Sequence, residues 1–392
     1  MRITTAQRRA RIGRRHLLAQ AARVDTPEQV ARGLVALHGT DPSTVYLSLW
    51  SRMRSGDVPC VERALYTDRT MVRLLAMRRT VFVVPVELAA VVLAASSRGV
   101  AAQQRRLLLA LLADADLPGD PDGWLAETEA VALAALRQQG SATATDLAAA
   151  DPRLRTELVL AKGKPYEGRQ RVISRVLLVL AAQGLVVRGR PLGSWTSTQF
   201  RWSPAEAWLP GGFPELSTED AQVELARHWL GAFGPATVAD LRWWTGWTLT
   251  QTRRALSRLD LAEVDLDGAP GVALSTDLEP EPEPDPWVAL LPALDPTPMG
   301  WTERDFYLGP HGPQLFDRTG NVSPTVWADG RIVGGWAQRK DGEVVVRLLE
   351  DVGSDTRAAI TQAAGTRAAQ LGPTRLTARA RTASPVEREL LR

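Results

Sequence analysis

The chain is poor in the residues that form disulfides and metal centres. Its 392 residues contain one cysteine, Cys60, and four widely spaced histidines, His16, His38, His228 and His311. A single cysteine excludes an intramolecular disulfide, and this supply of ligands is too small for a structural zinc site. We therefore expect no metal and no cofactor, and a reducing, cytoplasmic location.

Export signals, membrane spans and a strong net charge are also missing. The arginine-rich N-terminus is not followed by the apolar segment of a signal peptide, and the most apolar run, VFVVPVELAAVVLAA, is interrupted by Pro85 and Glu87. The 47 Lys and Arg residues exceed the 44 Asp and Glu residues by only three. Phosphate-binding loops, HExxH, EF-hand and paired CxxC motifs do not occur. The sequence therefore gives no indication of a membrane protein or of a metal- or nucleotide-dependent enzyme.

The composition is that of a folded, modular protein. Hydrophobic residues make up 45% of the chain and charged residues 23%, which is ordinary for globular domains. The length exceeds that of one hydrophobic core, so we expect two to four domains of about 100 residues each.

Two segments share one order of predicted elements. Residues 124–203 and 217–276 each show three stretches of helical spacing followed by a run typical of a β-hairpin. The turns GSATATDLAAA and GPATVADLRWW, which precede the second helix of each segment, are alike. Three helices and a hairpin in this order predict tandem winged helices. Tryptophans in RWWTGW at 242–247 suit either DNA stacking or packing, and packing is favoured.

The ends of the chain predict a third winged helix and a β-rich domain. Helices are predicted at 4–22, 27–38, 42–54 and 58–66, before a wing strand in RTVFVVP. After the acidic segment EPEPEPDP at 279–286, two Asp-Gly pairs between apolar runs predict hairpins, followed by a helix near 354–371 and a last strand in TRLTARA.

The predicted fold class is therefore α+β and mainly α. It consists of three tandem winged-helix units and a small C-terminal β-barrel or sheet, with predicted domains at 1–117, 118–213, 214–278 and 286–392.

Winged helices place their third helix and wing against duplex DNA, so we expect duplex DNA as the partner of a monomeric protein. Arginine suits phosphate contacts because its planar fork offers two donors to one phosphate. The alternative for each arginine is ordinary surface charge. The candidates for nucleic-acid binding are Arg8, Arg9, Arg78, Arg79, Arg171, Arg175, Arg253 and Arg254.

The segment VALHGTDPSTVYLSLW at 35–50 is predicted to form a junction between two helices. Thr26, Pro27 and Gln29 form the signature of a helix start, His38 falls in the predicted last turn, and Gly39 takes the left-handed position after it. Asp41 then caps the helix that starts at Pro42. This junction also gathers an imidazole, a hydroxyl and a carboxylate, which makes it a candidate site.

Four segments carry a family resemblance: ARGLVALHGTDPSTVYLSLWSRM, MRRTVFVVP, LLPALDPTPMGWTERD and PTVWADGRIVGGWAQRKDG. Together they resemble the AlkZ/YcaQ-like superfamily of bacterial winged-helix DNA glycosylases over nearly the whole chain. The resemblance implies three winged helices, a C-terminal β-barrel, and excision of bulky alkylated purines.

The resemblance also places the catalytic motif of that superfamily, Gln, a hydrophobic residue and then Gln or Asp, on residues 38–40. It therefore implies catalytic roles for His38 and Thr40. Asp41 is the third catalytic candidate, because its carboxylate could offset positive charge on the sugar, and the alternative is that Asp41 serves only as the N-cap. Because Thr40 replaces an amide or carboxylate, two hypotheses stay open: a DNA glycosylase, or a non-catalytic DNA-binding protein such as a regulator or lesion binder.

Overall fold

The computed structural model describes residues 1–115, 117, 119–377 and 383–392. These residues form two compact units. The terminal unit combines residues 1–64 with residues 223–392, and the middle unit is residues 65–222. The four-domain division expected from the sequence stays a prediction.

The first part of the terminal unit is built from short capped helices. Thr4 and Thr26 each close a capping box at the start of a helix, the second as predicted. These helices are shorter than predicted. The elements are α1 (Thr5–Arg15), α2 (Pro27–Gly33), the two-residue strand β1 (Leu37–His38), α3 (Pro42–Trp50) and α4 (Val58–Glu62).

The middle unit contains six helices and three antiparallel hairpins among its described residues. The predicted strand in RTVFVVP is confirmed as β3, and its partner is β2. The helices are α5 (Val86–Val92), α6 (Arg98–Ala113), α7 (Pro121–Gln139), α8 (Ala144–Ala150), α9 (Val172–Ala182) and α10 (Ala205–Trp208). The hairpins are β2 (Met71–Leu75) with β3 (Val81–Pro85), β4 (Glu157–Leu160) with β5 (Gly168–Arg171), and β6 (Val186–Pro191) with β7 (Phe200–Pro204).

One predicted helix of the middle unit begins later than the sequence suggested. Helical spacing starts at residue 167, but α9 begins at Val172 because Gly168–Arg171 pairs with Glu157–Leu160 as β5. Leu158 is 1% exposed and anchors this hairpin in the core. Burial of one strand residue therefore overrides the local helical pattern.

Among the described residues, one helical stretch, Val86–Ala113, is long and apolar enough to cross a membrane by length and composition alone. The buried share of its most apolar window is 44%. Core helices of globular proteins meet the same criteria, so this is weak evidence for a span.

The rest of the terminal unit begins with α11 (Thr218–Phe233), which crosses the boundary between the units. The remaining helices are α12 (Val238–Thr245), α13 (Leu249–Leu256), α14 (Asp305–Leu308), α15 (Gly312–Leu315), α16 (Gly353–Leu371) and α17 (Pro385–Leu390). The strands are β8 (Leu261–Leu266), β9 (Ala269–Leu274), β10 (Val288–Leu291), β11 (Thr325–Ala328), β12 (Arg331–Gln338) and β13 (Val344–Leu348). Trp244 and Trp247 are buried, so the predicted packing role of RWWTGW is confirmed for them.

The two predicted repeats share a detail that goes beyond element order. Ala142 exchanges two backbone hydrogen bonds with Trp202 of β7, and Ala236 exchanges two with Val272 of β9. The threonine after each alanine caps the next helix, and an aspartate three residues later completes a capping box. The alanine-threonine turn thus ties each second helix to a hairpin. The count of three winged-helix units stays a prediction.

The C-terminal β-rich region is an open four-stranded antiparallel sheet in the order β10-β11-β12-β13. Of the predicted sheet or barrel, the sheet is confirmed, and no closed barrel forms among the described residues. The Asp329-Gly330 pair forms the predicted hairpin turn with φ values of 47° and 79°. Of the predicted last strand in TRLTARA, residues 374–377 are not a strand and 378–380 lie outside the described residues.

Candidate active site

The segment that carries His38 reaches its position by a turn at Val35. Helix α2 ends at Gly33, and Val35, with φ of 63°, is the left-handed residue of the junction. The prediction that His38 ends a helix and that Gly39 is left-handed is therefore wrong. Val35 and Leu37 are 1% and 0% exposed, and their burial favours an extended chain, which places His38 on the short strand β1.

The three predicted catalytic residues stand side by side at the start of α3. Asp41 is the N-cap, as predicted, and its Oδ1 accepts hydrogen bonds from the Ser43 backbone N–H at 2.9 Å and the Ser43 hydroxyl at 2.7 Å. His38 is 5% exposed, whereas Thr40 is exposed to solvent. One short stretch therefore joins a buried imidazole, an exposed hydroxyl and a half-buried carboxylate.

A small cavity of about 50 Å³ lies beside Asp41. Ser43 and Thr44 of α3 and Gln338 of β12 contribute polar groups to its wall. The cavity exceeds the volume that one water needs. Among the described residues, no three His, Cys, Asp or Glu side chains gather into a metal-binding group. The imidazole of His38, the hydroxyl of Thr40 and the carboxylate of Asp41 are groups that can serve acid-base and electrostatic roles.

Helix α3 is held by polar residues spaced one helical turn apart. Thr44 donates to the Ala293 carbonyl at 2.8 Å, and Ser48 donates to the Asp295 carboxylate at 2.7 Å. Arg52 donates to both Asp295 oxygens at 2.9 and 2.7 Å, and both side chains are fully buried. Because α3 begins at Asp41, these bonds fix the position of the candidate motif.

His16 extends this buried network toward the N-terminus. Its Nδ1 lies 2.8 Å from the Thr297 hydroxyl, and its Nε2 lies 3.2 Å from the Ala232 carbonyl. Burial, with the nearby charge of Arg52, lowers the pKa of His16 to about 3, so its imidazole is neutral at pH 7. Burial raises the pKa of Asp295, but the charge of Arg52 and the hydrogen bonds it receives outweigh burial and leave that pKa below its usual value.

The lowered pKa of His16 predicts a pH-dependent stability. Below pH 6.5 the unfolded chain takes up a proton on His16 that the folded protein does not, so the free energy of unfolding falls as the pH drops from 6.5 toward about 3. The loss per pH unit is at most about 1.4 kcal/mol for one proton. Urea unfolding between pH 7 and pH 4 measures this slope.

The variant His16→Gln separates this effect from general acid sensitivity. Glutamine keeps hydrogen-bonding groups but does not titrate, so the slope of stability against pH is expected to flatten. His228→Gln is the matched control, since His228 is partly exposed beside Glu224. An unchanged slope in His16→Gln would assign the acid sensitivity to other groups.

Sequence reasoning missed Arg52, Asp295 and His16. The available signal was the spacing of Thr44, Ser48 and Arg52, which places polar residues on one face of an otherwise apolar helix. The partner Asp295 lies 243 residues from Arg52 in the chain, and no local pattern connects them.

The predicted DNA-binding residues Arg8 and Arg9 make contacts inside the protein. Arg8 is 9% exposed, its guanidinium lies 3.5 Å from the centre of the Phe306 ring, and burial lowers its pKa to about 10. Arg9 donates from Nε to the Phe306 carbonyl at 2.6 Å. Gly330 packs so closely that an added Cβ would lie 2.5 Å from the Arg9 Cβ. Arg8 is thus buried and Arg9 half-buried, and their role in DNA binding stays a prediction.

The rest of the basic N-terminal segment is neutralised by acidic residues of the same unit. Arg11 binds Asp277 at 3.0 Å, and Arg15 binds both Asp277 and Glu281. Glu281 belongs to the EPEPEPDP segment. The acidic segment and the basic segment are therefore ion-pair partners, which limits the positive charge available for phosphates.

Arg78 and Arg79 lie at the tip of the β2–β3 hairpin. Both adopt left-handed backbone conformations, with φ of 53° and 61°, which residues other than glycine rarely adopt. The side chain of Arg79 is exposed. The hairpin thus places two arginines at a strained turn, of which Arg79 is exposed and Arg78 is half-buried.

The remaining predicted arginines lie on separate elements. Arg171 is exposed at the end of β5, next to α9, and Arg175 of α9 is half-buried and donates to Gln170 at 2.9 Å. Arg171 falls in the stretch of helical spacing that begins at residue 167, which predicts a helix there, and this prediction is wrong because β5 extends through Arg171. Arg253 and Arg254 are exposed on α13, as predicted.

The turn between β4 and β5 adds basic residues that sequence reasoning missed. Lys162 and Lys164 are exposed there, and neither side chain has an ion-pair partner among the described residues. Tyr166 is 75% exposed in the same turn. An exposed aromatic ring in the same turn as exposed cations is a combination that can bind nucleic acid by stacking and by phosphate contacts.

Three comparisons relate this chain to known proteins. The interstrand DNA cross-link repair glycosylase of Streptomyces sahachiroi is 30% identical over 188 residues, which are 45% of this chain and 49% of that relative. The match therefore spans about half the length of the curated relative. The solved structure of the DNA glycosylase AlkZ from the same organism shares the fold, with a TM-score of 0.71 and 22% identity over 97% of this chain and 100% of that one. Residues 31–370 match the family of AlkZ-like DNA glycosylases, so the chain belongs to the AlkZ-like DNA glycosylase family.

Proposed function

We propose that this protein is a DNA glycosylase that hydrolyses the N-glycosidic bond of bulky alkylated purines in duplex DNA. The observation that carries the proposal is the junction of His38, Thr40 and Asp41 at the start of a helix held by a buried ion pair. Family membership supports the reaction class. The cross-link repair named for the Streptomyces sahachiroi relative supports DNA damage as the substrate.

The proposed chemistry demands little from the protein. An N7- or N3-alkylated purine is cationic, so it departs as a neutral base when water attacks C1′ of the sugar. We assign His38 to orienting this water and accepting its proton, and Thr40 to holding the water through its hydroxyl. The Asp41 carboxylate offsets the positive charge that develops on the sugar. A bulky base on the surface of the duplex need not be flipped into a tight pocket.

Release of the alkylated base tests this function. Duplex DNA with one N7-alkylguanine is incubated with the protein, the free base is detected by mass spectrometry, and abasic sites are detected by alkaline cleavage. Unmodified duplex of the same sequence is the control. Free base from the alkylated duplex alone is the expected result.

The second candidate function is a non-catalytic DNA-binding protein that recognises lesions. Thr40 favours it, because the family motif has an amide or a carboxylate at this position. This candidate predicts salt-dependent binding to the duplex with no release of base. Binding without release in the base-release assay would select it over the glycosylase.

We propose that the β4–β5 hairpin contacts the DNA backbone through Lys162, Lys164 and Arg171. Arg171 also has no ion-pair partner among the described residues, so all three cations are available to phosphates. Each phosphate contact that is lost lowers the slope of log affinity against log salt by about 0.9. The triple variant with glutamine at these positions is expected to bind duplex DNA more weakly and with a shallower salt dependence.

Arg169→Gln is the matched control on the same hairpin. Arg169 pairs with Glu157 at 3.0 Å, so its charge is already compensated. We expect its salt dependence to equal that of the wild type in fluorescence anisotropy titrations. A triple variant with the wild-type slope would exclude this hairpin from the DNA interface.

The remaining expectations about the whole protein are proposals as well. We propose that three winged-helix units, divided as the sequence predicts, supply the DNA-binding surface. The exposed Arg79, Arg253 and Arg254 are the further candidates for phosphate contacts. A monomeric state and a cytoplasmic location stay predictions from the sequence.

A further inference from the structure

A second polar cavity lies in the terminal unit, between α16 and β10. Its volume is about 290 Å³. Its wall contains two arginines and several neutral polar side chains, but no carboxylate among the described residues that line it. The polar residues of this wall include Gln20, Arg23, Ser51, Gln362, Thr366 and Arg367.

Arg367 of α16 is buried in this wall with part of its guanidinium unpaired. Its Nη2 donates to the Ser51 hydroxyl at 2.6 Å and to the Leu290 carbonyl at 3.2 Å. Its Nε and Nη1 are buried and have no hydrogen-bond partner in the described part of the chain. The side chain is 5% exposed, and unmade hydrogen bonds of a buried cation are costly.

Arg23 is the second cation of the cavity. Its Nε is buried without a partner, and its guanidinium forms no ion pair with any described residue. The charge of Arg23 acts on Arg367, since it contributes, after burial, to lowering the pKa of Arg367 to about 10. Two guanidiniums therefore repel each other across a site without a compensating anion.

The buried carboxylate that attracts Arg367 does not balance its charge. The carboxylate of Asp295 attracts Arg367 but is held by two hydrogen bonds from Arg52. One carboxylate thus acts on two guanidiniums, those of Arg52 and Arg367. The adjoining cavity shares Gln20 and Arg23 with this one and contains Asp329 and Asp355, so an anion is favoured at the Arg367 side.

We propose that the cavity between α16 and β10 binds a phosphate-type oxyanion through Arg23 and Arg367. Guanidinium groups bind tetrahedral oxyanions with short, charge-assisted hydrogen bonds. The amides of Gln20 and Gln362 and the Thr366 hydroxyl complete the wall with further donors. The phosphoryl group belongs either to free inorganic phosphate or to the 5′-terminal phosphate of a DNA strand.

Inorganic phosphate tests the site in the full-length protein. Thermal unfolding is compared in sodium phosphate and in sodium chloride of equal ionic strength, and phosphate binding is measured by isothermal titration calorimetry. The wild type is expected to bind phosphate and to unfold at a higher temperature in its presence. Arg23→Gln and Arg367→Gln are expected to bind at least tenfold more weakly.

Arg357→Gln is the control on the same helix. Arg357 is 59% exposed beside Asp351, so its loss is expected to leave phosphate binding unchanged. Because Arg367 is buried, circular dichroism checks that its variant folds. Arg23→Gln, at a less buried position, gives the same test if Arg367→Gln does not fold.

Two oligonucleotides distinguish the sources of the phosphoryl group. Competition with phosphate by a 5′-phosphorylated strand, but not by the same strand with a 5′-hydroxyl, assigns the site to DNA ends. Binding of phosphate without such competition assigns it to the free anion. Absence of a phosphate effect in the wild type, or an equal effect in both arginine variants, would overturn the proposal. Base release is not read in this experiment, so its outcome is independent of the glycosylase proposal.

Discussion

Replacing His38 with alanine is expected to slow the release of an alkylated base by about 100-fold, the lower end of what a general base contributes. His38 is buried on a two-residue strand and precedes the exposed Thr40 and the helix cap Asp41. Its removal leaves the attacking water without a proton acceptor. Affinity for the duplex is expected to stay unchanged, because His38 supplies no phosphate contact in this account.

Single-turnover kinetics with excess protein measure this rate without interference from product release. His228→Ala is the control, because His228 lies on α11 beside Glu224 and has no assigned role. The control is expected to release base at the wild-type rate. A wild-type rate in His38→Ala as well would remove His38 from the mechanism.

Replacing Asp295 with asparagine is expected to lower the free energy of unfolding by about 3–5 kcal/mol. The substitution leaves Arg52 as a buried cation without its counterion, and Ser48 loses its charged acceptor. Since Arg52 and Ser48 belong to the segment that follows Asp41, base release is expected to fall together with stability.

Urea unfolding followed by circular dichroism measures the loss of stability. Arg54→Gln is the comparison, because Arg54 pairs with Asp25 at the surface, where such pairs contribute less than about 1 kcal/mol. A loss in Asp295→Asn as small as that of the surface pair would contradict the role of Asp295 as an anchor.

Local chemistry predicted much of the fold around the candidate site. The capping box at Thr26, the N-cap at Asp41 and the Asp329-Gly330 turn depend on residues within four positions of one another, and all three occur in the structure. The repeated alanine-threonine turns likewise start helices α8 and α12 in the same way. Such features can be predicted from the sequence because interactions among a few neighbouring residues determine them.

Features that depend on distant residues were not predictable. The left-handed residue of the junction is Val35, which precedes His38, and not Gly39, which follows it. Burial of Val35 and Leu37 outweighs the backbone preference of glycine. Arg171 belongs to a strand because a hairpin partner fourteen residues earlier, Glu157, pairs with it. The basic N-terminal segment indicated phosphate contacts, but distant acids bind its arginines.

The candidate site also combines features that local sequence predicts with features that depend on distant residues. Its location followed from a family resemblance and from a plausible cap, whereas its support by Arg52 and Asp295 required the three-dimensional structure. The β4–β5 turn with Lys162, Lys164 and Tyr166 could not be predicted as a binding surface, because single charges in a loop form no sequence pattern. The exposure of these side chains in the structure is what supports the DNA contact that we propose for this turn.

We propose that His38 and Thr40 together activate the water that hydrolyses the N-glycosidic bond. Single-turnover release of N7-alkylguanine from duplex DNA by the wild type, His38→Ala, Thr40→Ala and the double variant tests it directly. Residues that hold one water act as a unit, so the double variant is expected to be about as slow as His38→Ala alone. A double variant that releases base at the wild-type rate, or a wild type that releases none, would contradict the assignment of His38 and Thr40 to hydrolysis.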